Sequence, residues 1–537
     1  MPGPGLLAGI TQRRIQRALG ITQIQLGEDQ LRQAGAQAGA RAGADRAEQF
    51  AAVDEHLLEL HRAAVGLTLA ETVPVLVDRQ ALTLARQHDE HAVPIALAVA
   101  FGILAQQASA AGFIEDSKAS LDLRNFYFNQ DTRNQDAPSS KEWGQGFILN
   151  FQSGFTEGTV GVGVDAIGLL GVRLDGGGRN NKADRERTPG ALFPLESDGS
   201  AVNDYSKAGV TAKARVSKTE LRVGTLLPKL PVVSYNDGRL LPQLFEGGQI
   251  TSQEIDGLTL TAGQLEHTKT RSSTDDVSLR IAGAARPNGT PEGTPLAETN
   301  KFYFAGGDYK LTKDLTAQYY YGNLEDFYKQ HFLGLVHNYA LGGGTLKSDL
   351  RYFDSSSDGK NGSAAGRANG YRSSGYWTPG DSKSGEVDNR TWSALFTYGH
   401  SGHELSAGYQ QVEGDSAFPF LNQGDGSTAY LITDRQIGKF LNAGERTWLT
   451  GYAYDFGKLG VPGLKASVVY LSGDNVDSAE RDRKEWERDF RLDYVLQEGS
   501  LKGLGFSWRN ASIRSNVAST ADQDENRLIV SYSLPLL

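Results

Sequence analysis

The stretch that decides the fold is Arg527-Leu-Ile-Val-Ser-Tyr-Ser-Leu534, three residues short of the C-terminus. Leu528, Val530, Tyr532 and Leu534 share one parity, and Arg527, Ile529, Ser531 and Ser533 share the other. Side chains of a β-strand point alternately to opposite faces, so this segment has one apolar face and one polar face. The same period of two recurs along the chain. Leu121, Leu123 and Tyr127 alternate with Asp122, Arg124 and Phe126, and Val160, Val162, Val164 and Ala166 alternate with Thr159, Gly161, Gly163 and Asp165. Leu315, Ala317, Tyr319 and Tyr321 form a third apolar face, Phe490, Leu492 and Tyr494 a fourth, and Leu504, Phe506 and Trp508 a fifth. Strands that are apolar on one side and small or polar on the other suit a wall between lipid and a water-filled lumen.

The connections alternate in length. Ser217-Lys218, Gly342-Gly-Gly344, Gly399-His-Ser-Gly402 and Gln497-Glu-Gly-Ser500 read as tight turns, whereas Asp175 to Asp204, Thr268 to Thr299 and Asp354 to Asp388 are long and polar. Short turns on one rim and long loops on the other describe an outer-membrane barrel. The roughly 427 residues after residue 110, at about 24 per strand with its connection, predict an all-β, antiparallel transmembrane barrel of about 18 strands. No fixed-period repeat supports a propeller or β-solenoid.

Composition agrees once it is divided. The chain has 537 residues with 64 Gly, no Cys, one Met and a net charge of −10, and its mean hydropathy is −0.40. The missing Cys excludes disulfides, thiolate metal sites and thiol catalysis. The acidic balance argues against nucleic acid as a partner, and no run of 18 apolar residues exists to make a spanning helix. Residues 1–100 hold a single aromatic, Phe50, and no lysine. At the seam, Ala92-Val-Pro-Ile-Ala-Leu-Ala-Val-Ala-Phe-Gly-Ile-Leu-Ala105 is followed by Ala108-Ser109-Ala110, the apolar core and A-x-A site of a secretory signal. Residues 92–110 are therefore expected to be a signal peptide cleaved between Ala110 and Ala111. Residues 1–91 read as a helical or disordered extension preceding the functional start, and residues 111–537 as the barrel.

On the inward parity lie Arg124, Lys213, Arg215, Arg222, Arg351, Lys465, Arg491, Arg509 and Arg527. Arg124 is on the first strand and Arg491, Arg509 and Arg527 on the last ones, so barrel closure gathers them into a cationic track. Such a track exchanges a carboxylate's hydration for bidentate hydrogen bonds. Acidic surface loops are expected to account for the overall negative charge. The segment Leu226 to Phe245, with three prolines and with Tyr235, Asp237 and Arg239 at its centre, is too apolar to face water and is expected to fold into the lumen as a constriction. A second apolar loop, Phe418-Pro-Phe-Leu421 with Tyr430 to Arg435, is expected to do the same and to bring Arg435 there.

Several blocks resemble the OprD family of substrate-specific porins: Gly112-Phe-Ile-Glu-Asp-Ser-Lys-Ala-Ser-Leu-Asp-Leu-Arg-Asn-Phe-Tyr-Phe128, Glu142-Trp-Gly-Gln-Gly-Phe147, Tyr235-Asn-Asp-Gly-Arg-Leu-Leu-Pro242 and Asp524-Glu-Asn-Arg-Leu-Ile-Val-Ser-Tyr532. The resemblance spans about residues 112–537. It implies an 18-stranded barrel in the outer membrane of a Gram-negative bacterium, contacting outer-membrane lipid and the barrel-assembly machinery, as a monomer or weak trimer without cofactor. It implies a basic ladder for small carboxylate solutes, closer to the branch for aromatic or cyclic acids such as benzoate and vanillate. A basic amino acid or peptide porin of the same family is the alternative. From another class, a barrel lipase or esterase would need His331 or His337 beside a serine and a carboxylate. His400-x-x-His403 falls in a turn, so no metal site is expected.

Overall fold

The computed structural model describes residues 112–133, 139–178, 187–283, 296–421, 428–480, 483–518 and 520–537. The chain divides into Met1–Val99 and Ala100–Leu537, and every described residue belongs to the second unit. The expected extension, signal peptide and Ala110/Ala111 cleavage site lie outside the described residues.

Eighteen strands make the wall: β1 (Lys118–Thr132), β2 (Ser139–Gln152), β3 (Gly161–Asp175), β4 (Asp204–Val216), β5 (Thr219–Leu226) and β6 (Leu244–Ser252). These are followed by β7 (Leu258–Lys269), β8 (Phe302–Lys310), β9 (Leu315–Leu324), β10 (Tyr328–Leu341), β11 (Gly344–Ser357) and β12 (Asp388–His400). The last six are β13 (His403–Glu413), β14 (Arg446–Asp455), β15 (Leu464–Val476), β16 (Arg483–Val495), β17 (Gly505–Ser515) and β18 (Gln523–Pro535). Each pairs antiparallel with the next, and β1 pairs with β18 in the register Leu121↔Leu534, Arg124↔Ser531 and Phe128↔Arg527. Closure pairs the first strand with the last, so the wall meets its backbone hydrogen bonds between strands, as a spanning structure requires. The barrel of about 18 strands read from the sequence is the observed fold.

Two-residue hairpins fix the short-turn rim. Gly342 and Gly343 have φ of 57° and 82°, and Ser401 and Gly402 have 50° and 87°. Left-handed backbone at both central positions gives the turn whose twist matches the strands. The outward face carries exposed Leu149, Val162, Leu221, Ile250, Leu260, Leu333 and Val468. Exposed Trp143, Trp392 and Trp448 stand near the long-loop rim and exposed Tyr309, Tyr339 and Tyr452 near the short-turn rim. These two aromatic belts mark the membrane interfaces.

The packed core is not in the wall but against its inner side, where long loops fold in. Phe418, Phe420, Leu421 and Leu431, from the loop before β14, are buried with wall residues Phe302, Phe304, Tyr320, Phe332 and Phe353 and with Val232 and Val233 from the loop after β5. Phe353 and Phe418 meet edge to face with ring centroids 4.9 Å apart. A second cluster joins Phe126, Phe128 and Ile148 to Leu240 and Leu241. Each such side chain contributes about 1.5–3 kcal/mol by leaving water, so both apolar loops are held in the lumen by burial.

Candidate functional site

The inward parity is as the alternation predicts, but the charged residues on it divide into two groups. One group docks loop backbones. Lys207 on β4 is 4 % exposed, and its ammonium donates to the carbonyls of Pro242 (2.9 Å) and Thr270 (2.7 Å). Glu142 on β2 is fully buried and accepts from the backbone N–H groups of Ala191 (2.6 Å) and Leu192 (2.9 Å). On β16, Glu487 accepts from Ile437 N (3.0 Å) and Gly438 N (2.5 Å), and Asp489 accepts from Gln436 N (3.4 Å). Gly438 is needed there, because a methyl group at its Cα would lie 2.7 Å from Glu487 Oε2.

These acids correct one expectation. Glu142, Glu445, Glu485, Glu487 and Glu525 are all buried, so part of the negative charge assigned to surface loops sits inside the barrel. The signal was legible: Glu485, Glu487 and Asp489 occupy the alternate positions immediately before Arg491, in the same period of two that singled out the arginine.

The constriction forms where the two loops meet the seam between β18 and β1. Arg124 grips Asp237 with two bonds, Nη1 to Oδ1 at 2.6 Å and Nη2 to Oδ2 at 3.0 Å, and donates to Arg239 O at 2.9 Å. The Arg239 guanidinium lies 4.4 Å from the centre of the Phe128 ring and 3.9 Å from Glu525. Arg527, 6 % exposed, donates to Gly238 O (3.3 Å) in one loop and Gln436 O (2.8 Å) in the other, and pairs with Glu525. One guanidinium thus ties both loops to the wall. Arg435 turns back on Gly438 (N to O, 3.2 Å), and burial lowers its guanidinium below the ordinary range despite Asp489 and Asp434 nearby. Tyr235 packs against the apolar cluster, with Lys229 Nζ 5.2 Å from its ring. Arg351 is held by Asp349 (2.9 and 2.7 Å) and stacks on Tyr430 at 4.0 Å.

The other group faces open lumen. Arg491, Arg509 and Arg527 stand directly opposite one another across β16, β17 and β18. Arg509 makes one hydrogen bond among the described residues, Nε to Ser507 Oγ at 3.3 Å. Arg491 is exposed beside Asp493, and Lys465 on β15 is exposed without an ion pair among the described residues. Together with Ser507, Asp493 and Ser531, these three cations line a recess of about 430 Å³ toward the short-turn rim. On the opposite flank, Lys213 does not face open lumen: it is buried, pairs with Asp165 at 2.6 Å and donates to Ser153 O at 2.7 Å, while Arg222 pairs with Glu220 and exposed Arg215 lies 4.1 Å above the Phe155 ring.

The esterase candidates are not assembled into a triad: His331, opposite Asp354, bonds the Tyr319 hydroxyl at 2.9 Å on the outward face, His337 lies opposite Ser348 with its ring tilted near Tyr339, and neither histidine bonds a serine or carboxylate among the described residues.

A closed 18-stranded barrel with lipid-facing belts, inward loops and a charged narrow lumen is an outer-membrane channel for selected solutes, not an enzyme. The chain belongs to the OprD family: residues 111–536 match the outer membrane porins of that name. It is 38 % identical over 436 residues to the porin-like protein GalP of Pseudomonas putida, covering 80 % of this chain and 95 % of that one. Against porin D of Pseudomonas aeruginosa it is 34 % identical over 462 residues, covering 82 % and 96 %. The crystal structure of Pseudomonas aeruginosa OccK8 (OprE) superposes with a TM-score of 0.72 at 63 % identity, over 80 % of this chain and all of that one. That of Pseudomonas aeruginosa OpdK with vanillate superposes at 0.67 and 38 % identity, over 79 % of this chain and all of that one.

Proposed function

We propose that this porin selects small solutes bearing a carboxylate, of the benzoate or vanillate type, and passes them from the Arg124–Arg239 constriction to Arg509, Arg491 and Lys465. The carrying observation is the cross-strand row Arg491–Arg509–Arg527. Like charges directly opposite each other are unfavourable on the scale of about 0.2–1 kcal/mol per pair, and an anion between them reverses that sign. Glu487 and Asp489 on the same face are engaged by loop backbone, and of the recess's own acids Asp493 is paired with Arg491. A vanillate complex of a relative in the same family supports the solute class. Arg215, Arg222 and Arg351 serve the far wall in this reading, and residues 92–110 direct export.

Liposomes carrying the protein should take up benzoate-like acids faster than lysine or arginine. Faster uptake of the basic amino acids would replace this reading with the alternative one, and unchanged benzoate uptake in Arg491→Ala and Arg509→Ala would remove the track.

A further inference from the structure

Four adjacent strands place a row of inward residues side by side beneath the loop that precedes β14. The register runs Gln410↔Thr447, Thr447↔Gly473 and Gly473↔Glu485. Gly473 leaves a gap in the row, and Glu445 fills it from above. A methyl group at Gly473 would lie 2.3 Å from Glu445 Oε1 and 3.2 Å from Thr447 Oγ1. Glu445 and Gln410 are fully buried, Thr447 is 1 % exposed and Glu485 4 %.

Several oxygens along this row lack donors. Gln410 Oε1, Glu445 Oε1 and Thr447 Oγ1 are buried with no hydrogen-bond partner. The amide orientation of Gln410 is fixed by its neighbours: Nε2 donates to Phe440 O (2.9 Å) and to Thr433 Oγ1 (2.7 Å), and that hydroxyl donates onward to Lys439 O. Oε1 must therefore point away from the loop. Glu445 Oε2 accepts from Asn442 N (3.0 Å) and Nδ2 (2.9 Å). Glu485 receives Ser515 Oγ at 3.0 Å and the Thr520 hydroxyl, and lies within hydrogen-bonding reach of Glu445. Neither carboxylate has a basic partner among the described residues. Two buried carboxyl groups in contact with each other and with no cation between them, beside two neutral oxygens without donors, form an arrangement that is costly unless a proton or a metal ion joins them.

We propose that this row is a calcium site, with Glu445, Glu485, Thr447 Oγ1 and Gln410 Oε1 as protein ligands and water completing the shell. An all-oxygen set mixing carboxylate, amide and hydroxyl suits a hard cation of flexible coordination number rather than a transition metal. Its consequence is mechanical. Glu445 closes the loop whose residues 436–438 dock on Asp489 and Glu487, so the bound ion braces the constriction from outside the solute path.

The test uses the full-length channel in detergent, stripped with EDTA, assayed for residual lipopolysaccharide and titrated with Ca²⁺ by calorimetry. One ion per chain should bind and raise the melting temperature. Thr447→Val, which deletes a hydroxyl that bonds nothing, should fold normally and bind at least tenfold more weakly, and Glu445→Gln should not bind. Chelation should increase current noise in planar bilayers in the wild type only. No uptake by the wild type overturns the proposal. So does equal uptake by wild type and Thr447→Val, which would mark adventitious binding. A melting temperature in EDTA that rises in Glu445→Gln, with no uptake by the wild type, would show a shared proton in the ion's place.

Discussion

On β16 to β18 one inward face carries two kinds of charge. Toward the long-loop rim Glu485, Glu487, Asp489 and Glu525 are covered by loop; toward the short-turn rim Arg491 and Arg509 look onto open lumen. Parity alone puts all six on the same side. What separates them is what lies over them. A covered charge must be paired within the protein and becomes a structural clamp, because leaving it bare costs several kcal/mol. An open one keeps its water and its freedom to exchange partners, which is what transport requires. Arg527 stands at the boundary, in register with the open arginines but spent on two loop carbonyls and Glu525.

The most forceful way to break this division is to remove a clamp. Glu487→Ala leaves the Ile437 and Gly438 N–H groups without acceptors in a buried place, at about 1–3 kcal/mol each. The apparent melting temperature in detergent should fall clearly, and single-channel current should become noisy as the loop releases. A variant as stable and quiet as wild type would mean that Glu487 does not hold the loop.

Within the arginine row the two kinds should separate. Arg527→Ala strands Glu525 and two carbonyls and should destabilise by about 3–5 kcal/mol. Arg509→Ala should leave stability within about 0.5 kcal/mol of wild type, or slightly raise it, since it deletes a cross-strand repulsion. It should instead reduce benzoate uptake. Equal thermal losses in the two variants would show that register, not cover, decides their roles. Asp237→Asn comes next: Asp237 is 39 % exposed against 20 % for Arg124, and such a half-solvated pair contributes about 1 kcal/mol at most. The expected change is a wider, less selective pore with nearly unchanged melting.

The fold was legible because period-two alternation records lipid on one side and water on the other, and because turn chemistry marks each reversal. The inward parity of Arg491 and Arg509 follows from the alternation, the hairpins within Gly342–Gly344 and Gly399–Gly402 from their turn residues, and the strand count from chain length at about 24 residues per strand with its connection. Loop cover was only half legible. Apolar content announced that 226–245, 418–421 and 430–435 fold inward, but which wall residues they touch depends on pairings such as Lys207 with Pro242, or Glu487 with Gly438, residues far apart in sequence. Lys207, Glu142 and Glu487 passed unnoticed for that reason. They sit at ordinary inward positions, and only the folded loop shows what they hold.

The smallest expected effect is also the one that isolates the open surface. Lys465 is exposed, free of ion pairs among the described residues and, of the three cations in the recess, the one nearest the short-turn rim. Lys465→Gln breaks no structural bond, so melting should not move. Its influence on an anion is a field effect through water, effective over about 10 Å at 0.1 M salt and about 3 Å at 1 M. Anion-over-cation permeability should therefore fall modestly at 0.1 M and match wild type at 1 M. The Arg527→Ala defect, arising from buried groups that salt scarcely screens, should persist at both concentrations. If the Lys465 effect survives high salt, the cation is making a fixed contact, and the short-turn half of the wall is not the open surface its exposure describes.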